Sequence, residues 1–166
     1  MNHPLPSVID DKNQWLLDQV NVEFPTKESL IGRDLYQTAL TEKQYKMWSG
    51  DTSLAPVVDE LYLVDFHRLT IMFSILQAKQ WPAEQDQAHL IEFFTQIILS
   101  DAHQLYVGFH GNTPVTAAIV TDKDESVLIS DIVIPPTDNA QFKSSFCQQI
   151  LTLKENVNLD NLWVEV

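Results

Sequence analysis

Apolar residues recur every three or four positions through the first part of the chain. Val8, Trp15, Leu16 and Val20 form one stripe behind Ser7, and Leu30, Leu35 and Leu40 form a second behind Thr26. Serine and threonine side chains accept hydrogen bonds from the unpaired N–H groups of a first helical turn, so each stripe is predicted as a capped helix, with Pro25 between them. Thr41 is predicted to open a third short helix through Tyr45, Met47 and Trp48. The stretch from Ser49 to Pro56 is dense in turn-forming residues and reads as a linker.

Beyond the linker the period changes. Leu61 to Asp65 reads as a strand, and Leu69, Met72, Phe73 and Leu76 form a helical stripe that ends before Trp81-Pro82. Pro82 suits the first turn of another helix, with Leu90, Ile91, Phe94, Ile97 and Ile98 on its apolar face. Leu105 to Phe109 and Val115 to Val120 are two strands joined around Gly111-Asn112, residues that tolerate the positive φ of a tight hairpin. Asp122 to Glu125 forms a polar turn, and Val127 to Ile134 is the most β-rich segment of the chain. A helix with Phe142, Phe146, Ile150 and Leu153 on one face leads to a strand from Leu162 to Val166. The predicted organisation is a helical N-terminal extension and linker over 1–57, followed by β-α-α-β-β-β-α-β over 58–166. The fold class is α+β, a mostly antiparallel sheet flanked by helices.

Composition narrows the partners. The 166 residues suffice for one domain with a real core, and an apolar content of 45% excludes a disordered chain. The formal charge of −13, from 23 acidic and 10 basic side chains, works against nucleic acid and anionic membranes and favours a cationic or protein partner. Cys147 is the single cysteine, so no internal disulfide framework exists, and the apolar run around it reads as a packed thiol in a reducing compartment. Residues 1–6 have no basic and apolar leader pattern, and no run reaches the ~18 apolar residues of a membrane span, so a cytoplasmic protein is expected. No metal is expected: His3, His67, His89, His103 and His110 are scattered, and His89-x-x-Glu92 reads as a solvated helix face. No Walker loop, dinucleotide fingerprint or nucleophile elbow occurs.

Val133-Ile134-Pro135-Pro136-Thr137-Asp138-Asn139-Ala140-Gln141-Phe142-Lys143, then a helix, then Leu162-Trp163-Val164-Glu165-Val166, resembles the strand, phosphate loop, helix and strand of the Gcn5-related N-acetyltransferase (GNAT) family. That family reads V-x-P-x-x-(Q/R)-G-x-G-x-(G/A) at the loop and carries an L-x-L-E-V strand after the helix. The resemblance implies a GNAT-like sheet, acyl-CoA as cofactor and attack of an amine on a thioester, with a small amine or a protein as acceptor. It assigns the backbone N–H groups of the β-rich strand, including Ile132, Val133 and Ile134, to the pantetheine arm and the carbonyl. It assigns Asn139, Ala140, Gln141, Phe142 and Lys143 to the pyrophosphate, and Asp131 to the general base. This chain departs from the pattern: Asp138 stands at the Gln/Arg position, and Asn139, Gln141 and Lys143 stand at the three small positions. Side chains there keep backbone amides from closing on a diphosphate, while Lys143 restores some attraction, and Lys123 and Lys154 are the other cations close in sequence.

On the residues alone, Asp131 reads as a carboxylate on the solvent side of an antiparallel strand, with Ser130 facing the other way. Glu60 and Asp65 could hold a cationic amine or simply end a strand, and His67 and His110 could act as bases or lie exposed. Trp15, Phe24, Tyr36, Tyr45 and Trp48 give the N-terminal region an apolar surface expected to dock on the rest. Family members continue past the L-x-L-E-V strand, whereas this sequence ends at Val166. Residues 7–49, or a second copy pairing as a homodimer through that strand, are therefore expected to cover its edge. Two functions follow: an acyl-CoA-dependent N-acyltransferase with an atypical cofactor loop, or a non-catalytic GNAT-shaped binding or regulatory module for a protein or a small cationic ligand.

Overall fold

Two helices lead into the sheet. In this computed structural model, which describes residues 5–48, 55–136, 140–154, 157 and 159–166, α1 spans Ser7–Leu17 and runs into a 3-10 turn at Asp18–Val20, and α2 spans Lys27–Leu40. Thr26 caps α2 as expected, its hydroxyl accepting from the Ser29 N–H at 3.1 Å. Ser7 does not cap α1, because the capping position falls one residue earlier on Pro6, which carries no acceptor side chain.

The third predicted helix is a strand. Thr41 closes α2, and Tyr45–Met47 forms β1. Its periodicity is helical, but a partner strand supplies the hydrogen bonds that decide its conformation: Trp48 N–H donates to the Leu162 carbonyl and Val166 N–H to the Gln44 carbonyl, both at 2.8 Å.

The remaining elements follow the predicted order: β2 Glu60–Leu63, α3 His67–Ala78, α4 Glu84–Phe94, β3 His103–His110, β4 Thr113–Lys123, β5 Ser126–Val133, α5 Ala140–Leu153 and β6 Leu162–Glu165. Pro82 lies outside α4, whose cap is Ala83, and the helix stops at Phe94, leaving Ile97 buried and Ile98 exposed in the following segment. Gly111, at φ +58, turns β3 into β4, and Asp124 and Glu125, both at positive φ, turn β4 into β5.

The fold is α+β, a mixed six-stranded sheet flanked by helices. Strands run in the order β1-β6-β5-β4-β3-β2, antiparallel throughout except for β5 and β6, which are parallel and joined across α5. The edge of β6 is thus covered by the chain's own β1.

Alternate strand residues divide the core between the two faces. Leu105, Val107, Ala117 and Ile119 pack with Leu16, Tyr36, Phe73, Leu90, Phe93 and Phe94 from the four N-terminal helices. Tyr106, Ala118, Val120, Val127 and Ile129 pack with Phe142, Phe146, Cys147 and Ile150 of α5. The N-terminal region is divided among the cores: Trp15 and Tyr36 dock in the first, Trp48 packs on the α5 side, Tyr45 packs with Val8, Ile9 and Leu128, and Phe24 stays exposed. Among the described residues, no helix is long and apolar enough to cross a membrane.

Candidate functional site

β5 is interrupted where the resemblance sets the chemistry. Ala117 faces Val133 while Ile119 faces Ser130, so two steps along β4 match three along β5. This bulge holds Asp131 at φ +52, a backbone region that aspartate tolerates better than most residues. The bulge overturns two expectations about this residue. Asp131 is only 2% exposed, not on a solvent-facing side. It also shares a face with Ser130, whose hydroxyl donates to Asp131 Oδ2 at 2.7 Å, because the extra residue breaks the strand's strict alternation.

Five other segments converge on Asp131. Lys12 of α1 lies 2.8 Å from Oδ2, and Tyr36 of α2 donates to Oδ1 at 2.5 Å while accepting from Lys12 at 2.8 Å. Gln77 of α3 donates to the Asp131 carbonyl at 2.6 Å. Beyond the last paired residues of β5 and β6, the Asp131 N–H donates to Glu165 Oε2 at 3.1 Å. Lys43, from the segment before β1, holds the other Glu165 oxygen at 3.0 Å.

The charges answer to this geometry. Burial pushes the Asp131 carboxyl up, but Lys12 and Lys43, with hydrogen bonds from Lys12 and Tyr36, outweigh it and hold it below the usual carboxylate range. Burial and the neighbouring Asp131 carboxylate raise the Tyr36 phenol well above its ordinary value. Burial presses Lys43 down, and Glu165 and Asp131 more than compensate, leaving it raised. The result is a closed set of acids and bases with every Asp131 oxygen occupied, chemically a clamp between helices and sheet.

A pocket of about 310 Å³ lies on the other face, between the first two turns of α5 and the β1–β6 edge. Lys143, Ser144 and Cys147 line it from α5, Glu165 from β6, and Lys46 and Trp48 from β1 and its flank. Burial pushes the Cys147 thiol up to about 12, so it remains protonated and inert near neutral pH. A second pocket of about 400 Å³ lies between the end of α3, the start of β4 and the segment after β5.

The residues assigned by resemblance are therefore divided. Ile132 packs toward α5, whereas Val133 and Ile134 line the second pocket. Ala140 and Lys143 line the first, Phe142 is buried in the α5 core, and Gln141 is exposed at the start of the helix. Asn139, with Asp138, lies outside the described residues. Lys123 and Lys154 are held elsewhere, each 3.7 Å from an aspartate, Asp11 and Asp122 respectively. Glu60, Asp65, His67 and His110 are exposed and distributed around β2, α3 and the hairpin.

Lys12, Tyr36, Lys43, Gln77 and Glu165 escaped sequence reasoning. One signal was available: Lys12 sits between Val8 and Leu16 at helical spacing, a lysine within an apolar stripe. Among the described residues no group of side chains is arranged to hold a metal ion. No family model matches the chain, and no curated protein matches it.

Proposed function

We propose that this chain is a GNAT-shaped binding module that does not transfer acyl groups. One observation carries the reading: the Asp131 N–H, in the strand whose amides the resemblance assigns to a thioester, already donates to Glu165, and Glu165 is fixed by Lys43. Polarising a carbonyl requires a donor free to meet the developing oxyanion. A general base requires a pKa near the working pH and reach to the amine, and Asp131 is buried, ion-paired and held low. The element order over residues 58–166 supports the GNAT shape, and the substituted loop residues support loss of the diphosphate grip.

The acyltransferase reading keeps one observation in its favour, the pocket at the first turns of α5 with Lys143 on its wall. The two readings separate in one assay. The protein is incubated with radiolabelled acetyl-CoA and a panel of polyamines and lysine-containing peptides, and its thermal midpoint is followed over millimolar acetyl-CoA. We expect no acetyl transfer above background and no rise in midpoint. Transfer that disappears in Asp131→Asn would overturn the non-catalytic reading.

A further inference from the structure

We propose that the pocket between α5 and the β1–β6 edge binds a small organic carboxylate, gripped by the Lys46 and Lys143 ammonium groups. The inference rests on the binding-module reading and names its ligand class.

Local charge carries the argument. Lys12, Arg33, Lys43, Lys123 and Lys154 each pair with a carboxylate. Lys27, Lys46, Arg68, Lys79 and Lys143 form no ion pair among the described residues, and of these Lys46 and Lys143 both line this one cavity. Glu165 also lines it and acts on Lys143, but Lys43 pairs with Glu165 at 3.0 Å and offsets its charge, which leaves Lys46 and Lys143 in excess. A chain of net charge −13 thus sets two ammonium groups on the wall of one pocket. This departs from the cationic ligand that net charge alone favours, and the chain's wider field still selects against polyanions, leaving a ligand of one or two charges.

Shape and surface specify the rest. A volume of about 310 Å³ is at the small end of the ~300–1,000 Å³ typical of small-molecule sites. Trp48, Cys147 and Val164 give the wall an apolar character suited to a ring or branched body. The Ser144 hydroxyl adds a donor for a second carboxylate oxygen. Burial, opposed by Glu165 and Cys147 and aided by Lys43 and Lys46, holds the Lys143 amine below its ordinary pKa, and an incoming carboxylate works against that effect.

The test is an NMR titration of the 15N-labelled full chain with benzoate, alongside its neutral isostere benzamide. Benzoate should give saturable shifts at the amides of Lys143, Ser144, Cys147 and Val164, with benzamide at least about ten-fold weaker. Lys46→Gln and Lys143→Gln should each weaken benzoate by about ten-fold while keeping a dispersed spectrum, since neither ammonium group bonds another side chain among the described residues. The inference is overturned by equal affinity for benzoate and benzamide, by saturable shifts elsewhere, by wild-type affinity in both lysine variants, or by no saturable shift at about 10 mM benzoate. Failure here with no acetyl transfer removes only the ligand class. Acetyl transfer removes the non-catalytic reading and leaves the benzoate result standing on its own.

Discussion

Lys12 is fully buried and faces a carboxylate that is itself almost sealed, so the two charges depend on each other. Removing one partner leaves the other desolvated and uncompensated, which typically costs about 3–5 kcal/mol. Lys12→Met should therefore lower unfolding free energy by that amount in urea denaturation. The double variant Lys12→Met with Asp131→Asn should lose clearly less than the sum of the two singles, because asparagine keeps the positive φ and needs no cation. His103 provides a second residue-scale prediction. It stacks on Trp15 at 4.5 Å between ring centroids and meets the Thr121 hydroxyl at 3.0 Å. Burial, then Lys123, lower its pKa to about 4 against Asp11, so the folded state holds it neutral while the unfolded state protonates near 6.5. Its stabilising effect is complete above pH 6.5 and is lost as pH falls toward 4. The stability difference between wild type and His103→Phe should shift against wild type over that window. Asp131 shows where residue-level reading stops: the strand was legible, but an inserted bulge residue reversed the facing of one carboxylate, and Tyr36, its closest hydrogen-bond partner, lies 95 positions away.

Among elements, α2 and α4 approach closely at Gly32, where an added Cβ would overlap the His89 carbonyl oxygen and press on Phe93. Alanine favours helices over glycine by about 1 kcal/mol, but backbone cannot yield as a side-chain tip can. Gly32→Ala should therefore destabilise, by about 1–3 kcal/mol in chemical denaturation; a gain in stability would refute the close approach. The α3 and α5 stripes, the β3–β4 hairpin and the order beyond residue 58 were legible because amphipathic period and turn chemistry are local. β1 was not, since its three residues become a strand only by pairing with residues 163–165. Local preference there is weak and a distant partner decides.

At the scale of the whole molecule, 23 acidic side chains against 10 basic ones make self-repulsion a general load on the compact state. Salt screens exposed charges over roughly 10 Å at 0.1 M while leaving the sealed Lys12–Asp131 pair little affected. Raising NaCl from about 10 to 300 mM should increase the thermal midpoint, and a decrease would mean that surface ion pairs outweigh repulsion. Net charge is a sum, so it carries no trace of Lys46 and Lys143, nearly a hundred residues apart, meeting on the wall of one pocket.

β6 lies between β5 and β1, bonded on each flank by strands that precede it in the chain. During synthesis from the N-terminus, the nascent polypeptide therefore carries an open slot until residue 165 leaves the ribosome. Two strand edges face that slot, and another nascent chain can enter it as readily as the proper segment. Removing residues 162–166 should accordingly leave the slot open and lower the soluble yield.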